Sequence, residues 1–527
     1  MRPPPQAHLP THEVTNQPPA PGDRDLWASD PMLRALVSGS GLAAYGALMG
    51  RADMAEAGRA ANRNPPELRL FDAGGRRLDE VAFHPAWHRF MQASIAAGYH
   101  AAPWQGGSHA AHAAMVYLAS QTEPGHCCPL TMTYAAHPAL ADLPDWQAKA
   151  LSREYDPMVR PMPDKAGVTL GMAMTEKQGG SDVRANTTRA QADGDAWRLT
   201  GHKWFCSAPM SDAFLTLAQG PQGLTCYLVP RWLDQRNGIR LMRLKDKLGN
   251  RANASAEIEY DRALAWQLGQ GGDGIRTILQ MVHHTRLDTA MAPVGLMRAA
   301  LGQAHHWVRH RSAFQRRLID QPLMRALLAD LSLDWLGSLA LGLHVAASFD
   351  DPQDRAFARI GVALAKYMAN KLCPIVVVEA MEIMGGMGYV EDTPLPMLYR
   401  EAPLNGIWEG SGNVICLDVL RSLGRDPMCR DALHDRLAAA AGQVAAYDTA
   451  LAAWRSRWNP APTEAEARWF VEETALLLTG AALIRGPHHL FAEAFCRSRL
   501  AGERGRLAGA IPAGLADALS DAAFPPA

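Results

Sequence analysis

A carboxylate, Glu409, stands in the stretch of the chain where the pattern of residues best suits acid–base chemistry. It follows an apolar pair that ends in Trp408 and precedes a Gly-Ser-Gly-Asn turn that starts at Gly410. Apolar residues then recur at helical spacing, so a helix begins near Asn413 with Ser411 or Asn413 as its cap, and its free N–H groups form an anion site. Trp408 would raise the pKa of Glu409, and the helix N-terminus would lower it. The stretch is either a partly desolvated base beside an anion site or a solvated glutamate before a cap.

A second stretch of this kind runs from Met174 to Asp182 and ends a predicted strand. The strand opens into Gly179-Gly180 between two hydroxyl side chains, Thr175 and Ser181. Several backbone N–H groups and two side-chain donors then meet at one point, which suits a planar hydrogen-bonding ligand or a phosphate. An ordinary β-turn has the same pattern, so this stretch alone leaves both interpretations open.

A glycine cluster and paired histidines are weaker candidates for ligand and metal binding. Gly385, Gly386 and Gly388 follow an apolar helix, where they either allow a ligand to approach closely or end the helix. They lack the strand and helix context of a dinucleotide-binding motif, which excludes a Rossmann fold. The histidine groups have no accompanying ligands at metal-binding spacing, so no metal is expected there; they are His283-His284, His305-His306-His310 and His488-His489.

Composition and charge narrow the class of protein. The chain has 527 residues with 52 basic and 53 acidic side chains, so no overall field attracts nucleic acid or a membrane. The sequence shows no apolar run of bilayer-spanning length and no signal-peptide pattern, so no membrane partner is expected. The 8 cysteines are scattered without a Cys-x-x-Cys motif, which favours a reducing, cytoplasmic location.

The elements that position these stretches follow from the periodicity of the chain. It predicts a mainly α-helical protein with an inserted β-barrel domain, because short strand-like runs separated by Gly, Pro and Asn interrupt the helical patterns. The predicted parts are an extended proline-rich arm (1–30), an N-terminal helical domain (31–166), a β-barrel domain (167–270), a helical domain that carries Glu409 (271–427) and a C-terminal helical domain (428–527).

Taken together, these stretches resemble the acyl-CoA dehydrogenase family, in particular its AidB-like, alkylation-response branch. The resemblance covers nearly the whole chain, and its motifs occur in the expected order. The matching runs are Thr11 to Pro18, His84 to His88, Thr175 to Val183, Asn186 to Arg189, Gly201 to Phe205, Leu244 to Arg251 and Ile407 to Asn413. The resemblance implies an acyl-CoA dehydrogenase-like fold that holds FAD between its domains, with an additional C-terminal helical domain.

The resemblance also implies which residues bind the cofactor and the substrate. Thr175 and Ser181 would be side-chain donors to the flavin, and the FAD residues as a set are Met174, Thr175, Gly180, Ser181, Trp204, Phe205, Cys206, Arg311, Phe314, Ser411 and Asn413. The acyl-CoA thioester would contact Ser181, Thr285, Arg286 and Gly410. Arg311 and Phe314 match a motif that reaches the FAD of a neighbouring subunit, which implies a homo-oligomer, typically a homotetramer.

Some positions depart from the family pattern. Cys206 stands where the family usually has a hydroxyl residue, Gln315 replaces a glycine, and Glu382 replaces a glutamine found in many relatives. In the family a carboxylate removes the α-proton of an acyl-CoA while the β-hydride passes to flavin N5. That carboxylate stands at the position of Glu409 or, in a minority, of Thr285. Threonine cannot act as this base, so the resemblance assigns the role to Glu409.

A second hypothesis is a protective protein that binds double-stranded DNA and in which dehydrogenase activity is vestigial, because AidB-like proteins are associated with both properties. Arg497 and Arg504, and likewise Arg499 and Arg506, are seven residues apart, so each pair would share a face of a helix. The same block carries many acidic residues and no helix-turn-helix or zinc-finger signature. A solvated helix face is the other interpretation of these arginines.

Overall fold

The computed structural model describes residues 5–509 and 511–524, so the first four residues of the predicted arm and a few C-terminal positions lie outside it. The chain before Leu170 is mainly helical, as the sequence predicts. Its helices are α1 (Pro31–Leu36), α2 (Leu42–Met49), α3 (Ala52–Arg63), α4 (Pro85–Ala97), α5 (His109–Ser120), α6 (Cys127–Ala136) and α7 (Pro144–Ala150).

A hairpin that the sequence analysis did not predict interrupts these helices. It consists of β1 (Glu67–Phe71) and β2 (Arg77–Ala82). Asp72 closes the turn by accepting hydrogen bonds from the backbone N–H groups of Gly74 and Arg76. Leu68 and Leu70 of β1 alternate with polar residues and are partly buried, but the strand is only 5 residues long, so its pattern is short.

The predicted β-region forms a mixed sheet. Its strands are β3 (Leu170–Ala173), β4 (Arg189–Asp193), β5 (Ala196–Ser207), β6 (Ala213–Gly220), β7 (Gly223–Pro230), β8 (Ile239–Leu244) and β9 (Ser255–Leu268). The strand order is β3-β6-β4-β5-β9-β7, β8 pairs with β9, and β7 also pairs with β6. The pairings thus lead back to β6, but β4 meets β6 only at Arg189 and Gln219. A closed barrel therefore remains a prediction.

Long helices follow the sheet and form the core. The helices are α8 (Gly274–His310), α9 (Pro322–Ser348), α10 (Arg355–Ile383), α11 (Gly386–Tyr389), α12 (Leu395–Glu401) and α13 (Gly412–Arg425). A small hairpin of β10 (Ser312–Ala313) and β11 (Arg316–Arg317) lies between α8 and α9. By length and composition α9 and the segment containing α10 could cross a membrane, which the sequence analysis did not anticipate. Their most apolar windows are 83% and 78% buried inside the protein, which is typical of core helices.

The last part of the chain is helical and packs on α9 and α10. It contains α14 (Pro427–Ala438), α15 (Ala445–Arg457), α16 (Ala467–Ile484), α17 (His489–Phe495), a π-helical turn (Cys496–Leu500) and α18 (Ala513–Ala523). Arg499 is buried against α9, where it forms ion pairs with Asp330 and Asp334. These pairs attach the C-terminal segment to the core.

The prediction that four C-terminal arginines share helix faces in pairs is wrong. The chain after Leu500 is not helical until α18, so residues seven apart do not share a face here. Arg499 is buried, Arg497 pairs with Glu503 at 2.7 Å, and Arg504 lies 3.6 Å from Asp330. Of the four arginines, Arg506 is exposed without an ion pair among the described residues. They do not form the continuous basic surface that the DNA hypothesis needs.

An apolar cluster between the sheet and the helices brings the two chemical stretches together. It contains residues of α6, β3, β6 and α8, among them Leu170, Leu215 and Met281. Met174, at the end of β3, and Trp408, which precedes Glu409, both pack against its edge. The sheet and the second group of helices thus place the glycine turn and the carboxylate against one cluster.

Candidate active site

Glu409 lies in the loop before α13 and faces α8. Its Oε2 accepts a 2.7 Å hydrogen bond from the hydroxyl of Thr285, which is itself buried. Arg286 Nε approaches the Glu409 carbonyl at 3.4 Å. Glu409 has φ +57° and Gly410 has φ +102°, and left-handed backbone at a non-glycine residue is uncommon and concentrates at functional sites. The carboxylate is therefore held against a helix rather than directed into bulk water.

The sequence predicts two opposing effects on the pKa of Glu409, and in the structure the effect that raises the pKa is the larger one. Burial raises the pKa of Glu409 above its ordinary value, although the Thr285 hydroxyl, Lys366 and Arg286 favour the charged form. The helix N-terminus nearby is not capped as predicted, because α13 starts at Gly412 and Ser411 makes no side-chain cap hydrogen bond. Asn413 instead accepts a 3.2 Å hydrogen bond from Arg468 of α16.

A set of buried charges that the sequence analysis missed surrounds the Glu409 loop. Arg286 donates to Asp418 at 2.6 Å, and Arg359 donates to the other oxygen of Asp418 at 2.7 Å. Lys366 donates to the carbonyls of Asn405 and Gly410. The only signal for Lys366 in the sequence is a lysine within the apolar run of α10, since its partners come from a distant loop.

The Met174 turn is anchored by a buried ion pair. Glu176 and Lys203 meet at 2.9 Å, and both side chains are 0% exposed. Glu176 also accepts hydrogen bonds from the backbone N–H groups of Thr187 and Thr188. Burial alone would raise the pKa of Glu176, but Lys203 and these hydrogen bonds outweigh it and hold the pKa below its ordinary value. The acidic residue of this motif therefore shapes the turn and is not a ligand.

The remaining residues of the turn leave donors available. In the described part of the chain, no protein group hydrogen-bonds Thr175 Oγ1 or Ser181 Oγ, and Gly180 and Ser181 are exposed. A Cβ at Gly180 would lie 2.4 Å from Thr175 Oγ1. The glycine thus leaves room beside two hydroxyls that no described protein group engages, and Met174 at the start of the turn packs on the apolar cluster.

Strand β5 runs beside the turn, since Trp204 N–H donates to the Thr175 carbonyl at 2.8 Å. Phe205 is half exposed, and the Trp204 ring lies 3.2 Å from Lys245 Nζ. The prediction for Cys206 is corrected, because its side chain is fully buried in the cluster of the other sheet face with Ala173 and Phe214, and burial raises the pKa of the thiol.

The hydroxyl that the family pattern calls for stands one residue further along. Ser207 lies on the opposite strand face from Cys206, because successive side chains of a strand alternate. Its Oγ lies 3.4 Å from Ser255 Oγ and next to the thiol of Cys128, which belongs to the cluster that Met174 and Trp408 contact. Strand alternation was the available signal, but the sequence alone did not fix the register of β5.

Arg311 and Phe314 lie away from the other predicted residues. They follow the end of α8, and Arg311 stands 26 positions after Thr285, which corresponds to about 39 Å along the helix. Arg311 donates to the carbonyl of Asn16 in the N-terminal arm. Phe314 has φ +52° and is 92% exposed at the tip of the β10–β11 hairpin. Within one chain, these two residues do not share a site with Glu409.

The glycine cluster and the histidines have structural roles. Gly385 N–H donates to the Glu382 carbonyl at the end of α10, and a Cβ at Gly388 would lie 2.2 Å from the Met381 carbonyl oxygen. His283 stacks on Phe349 with ring centroids 4.4 Å apart. Among residues 5–509 and 511–524, no group of three or more His, Cys, Asp or Glu side chains is arranged to hold a metal.

Comparisons with known proteins agree with this architecture. Three family models match successive parts of the chain: the adaptive response protein AidB N-terminal domain at 16–157, the acyl-CoA dehydrogenase middle domain at 171–263 and the acyl-CoA dehydrogenase C-terminal domain at 272–424. The putative acyl-CoA dehydrogenase AidB of Escherichia coli K12 is 44% identical over 515 residues, which cover 94% of this chain and 95% of that protein.

Solved structures give the same result. Caenorhabditis elegans ACDH-11 in complex with C11-CoA superposes with a TM-score of 0.82 at 27% identity, covering 98% of this chain and 93% of that one. The apo form of Bd2924 superposes with a TM-score of 0.80 at 27% identity, covering 92% and 100%. The chain belongs to the acyl-CoA dehydrogenase family, whose cofactor is FAD. Within that family its N-terminal domain and its similarity to the E. coli protein place it in the AidB-like branch.

Proposed function

We propose that this protein is an FAD-dependent dehydrogenase that oxidises the Cα–Cβ bond of an acyl-CoA thioester. The observation that carries the proposal is the position of Glu409, a partly buried carboxylate with a raised pKa, hydrogen-bonded to Thr285 near an open glycine turn. The test is anaerobic addition of acyl-CoA thioesters to the purified protein while the flavin absorbance is recorded. A set of short, branched and C11 chains is appropriate, because ACDH-11 binds C11-CoA.

The residues of the site fit the isoalloxazine ring of FAD. Thr175 and Ser181 offer free hydroxyl donors, Gly180 keeps the edge between them open, and Met174 and Ser207 line the adjacent apolar cluster. We therefore assign the ring to this edge. When bound there, FAD supplies the acceptor for the hydride that leaves Cβ of the substrate.

Glu409 supplies the other half of the reaction. Its carboxylate takes the α-proton of the thioester, so that loss of a proton from Cα and a hydride from Cβ leaves a 2-enoyl-CoA. The Thr285 hydroxyl fixes the orientation of the carboxylate, and a backbone N–H at Glu409 would polarise the thioester carbonyl and make the α-proton more acidic. Arg286 supports the loop through the Glu409 carbonyl and Asp418.

The raised pKa of Glu409 predicts how the reaction depends on pH. Only the ionised carboxylate accepts a proton, so the rate of flavin reduction falls as the pH decreases through the pKa of Glu409. Because burial raises that pKa, we expect the midpoint of the acid limb above the ordinary value of 4.5. Stopped-flow reduction by butyryl-CoA over a pH series measures it, and a midpoint at or below 4.5 would contradict the assigned environment.

The Gly180→Ala variant tests the proposed edge of the flavin. The new Cβ would lie 2.4 Å from Thr175 Oγ1 and 3.1 Å from Thr175 Cβ, so rotation of the threonine side chain does not relieve the contact. We expect FAD affinity to fall about tenfold, the equivalent of one lost hydrogen bond. Flavin fluorescence after dilution measures it. Gly424→Ala on α13 is the control, since nothing lies within 4 Å of its added Cβ; equal affinities of the two variants would place the flavin elsewhere.

We also propose that the active form is a homotetramer. Exposed apolar side chains follow one stripe of α10, at Ile375 and Val378, and continue at Tyr389, which is 81% exposed. Exposed patches of this kind mark protein–protein contacts. Phe314 at the tip of its hairpin is placed to enter a neighbouring subunit. Light scattering of the FAD-loaded protein tests the assembly.

A link to the alkylation response, with DNA binding and vestigial dehydrogenase activity, is the alternative function. It has less support, because Arg499 is buried in ion pairs and Arg497 is neutralised by Glu503. A duplex-DNA titration at two salt concentrations separates the alternatives. Salt-dependent binding that is lost when Arg497, Arg504 and Arg506 are replaced by glutamine would favour the DNA function.

A further inference from the structure

Lys366 is a buried lysine that hydrogen-bonds the loop backbone on both sides of Glu409. It lies on α10, and its side chain is 1% exposed. Its Nζ donates to the Asn405 carbonyl at 2.8 Å and to the Gly410 carbonyl at 2.9 Å. These two carbonyls flank Glu409 in the sequence, so one ammonium group fixes the entry and the exit of the loop.

The loop needs such support because its backbone is strained. Glu409 and Gly410 both have positive φ, and a non-glycine residue keeps this conformation only where the surroundings enforce it. Trp408 Nε1 donates to Asn405 Oδ1 at 2.7 Å, which folds the start of the loop onto itself. The contact from Arg286 to the Glu409 carbonyl is longer, at 3.4 Å. Of the two cations that donate to the backbone of the loop, Lys366 therefore makes the shorter hydrogen bonds.

The charge of Lys366 also acts on Glu409. Burial lowers the pKa of Lys366 to about 7, with the nearby carboxylate of Glu409 opposing this and the cations of Arg286 and Lys371 adding to it. Lys366 in turn favours the ionised form of Glu409. The neighbouring carboxylate of Asp418 is already paired with Arg286 and Arg359. The charge of Lys366 therefore acts on Glu409 rather than on Asp418.

We propose that Lys366 is a positioning residue for proton abstraction, which holds the loop of Glu409 in its strained conformation through the carbonyls of Asn405 and Gly410. This inference rests on the proposed dehydrogenase function. It goes beyond that function by assigning the orientation of the base to a residue that binds the backbone of the loop.

The test compares full-length, FAD-loaded Lys366→Met, Lys366→Arg and wild-type proteins by stopped-flow flavin reduction with butyryl-CoA over a pH series. Methionine removes both the hydrogen bonds and the charge, so we expect the rate per bound flavin to fall about 10²-fold, as for a misplaced catalytic group. The acid limb should move to higher pH, because Glu409 loses a cation that favours its charged form. Arginine keeps a charged donor and should recover most of the rate with the wild-type pH midpoint.

Arg355→Met is the matched control, since Arg355 is an exposed basic residue on the same helix and makes no side-chain hydrogen bond or ion pair within the described structure. It should react within about twofold of wild type, as is usual for a surface change. If Lys366→Met does not retain FAD, Lys366→Gln, which keeps a donor without charge, should show the same shift of the acid limb. A Lys366→Met or Lys366→Gln protein with the wild-type pH midpoint and rate would overturn the inference. If wild-type protein binds FAD but no thioester reduces it, the proposed function itself has failed.

Discussion

Replacing Glu409 by glutamine is expected to abolish dehydrogenation while the protein stays folded and yellow. Glutamine has nearly the same shape and can still accept the hydrogen bond from Thr285, but it cannot take up the α-proton. A positioned general base contributes about 10²–10⁴-fold, so we expect the rate of flavin reduction by acyl-CoA to fall by about 10³-fold or more. Stopped-flow absorbance measures this rate, and deuterium exchange at Cα measures proton abstraction separately.

Thr285→Val is the matched comparison for this variant. It removes the hydroxyl that orients Glu409 and leaves the carboxylate in place. Its rate should fall far less than that of Glu409→Gln, since only a neutral hydrogen bond is lost. Undiminished reduction in Glu409→Gln would show that another residue is the base.

The largest effect on stability is expected for Lys203→Met. This change leaves the Glu176 carboxylate buried without its partner, in a place where neither side chain has any exposed surface. Removing one partner of a buried ion pair typically costs about 3–5 kcal/mol. We expect a loss of that size in the free energy of unfolding in urea, together with reduced FAD retention, because Glu176 anchors the Met174 turn.

Two further variants test whether the loss of stability comes from the buried charge of Glu176. Replacing both partners, as Glu176→Gln with Lys203→Met, should be less damaging than Lys203→Met alone, since no charge remains buried. Arg198→Met breaks the 2.6 Å pair with Asp193 on the surface of the same sheet and should cost at most about 1 kcal/mol. Equal losses for Lys203→Met and Arg198→Met would show that the buried pair does not hold the turn.

The candidate site was predictable from sequence where its chemistry is local. The residues around Glu409 and the glycines and hydroxyls of the Met174 turn marked both as candidates, but each pattern alone also fitted an ordinary turn or cap. The direction of the pKa shift of Glu409 was not predictable, because it depends on Thr285, Lys366 and Arg286, which other helices bring to the loop. The family resemblance supplied the cofactor and the roles, which no spacing in the chain encodes.

Predictions failed where a residue's surroundings depend on register or on distant segments. Cys206 and Ser207 exchange roles if β5 shifts by one residue, because strand side chains alternate between the two faces. Arg499 looked like part of an exposed face, but Asp330 and Asp334, more than 160 residues earlier, bury it. The sequence analysis gave Glu176 no role, because its partner Lys203 lies on a different strand, β5.

The most direct test of the central claim is an anaerobic titration of the purified wild-type protein with acyl-CoA thioesters, followed by the absorbance of its flavin. We predict that the protein carries FAD and that at least one thioester bleaches the flavin while a stoichiometric amount of 2-enoyl-CoA forms. A protein that binds FAD at the Thr175 edge but is bleached by no thioester, or one that binds no FAD at all, would contradict the assignment of Glu409 as the base of a dehydrogenase.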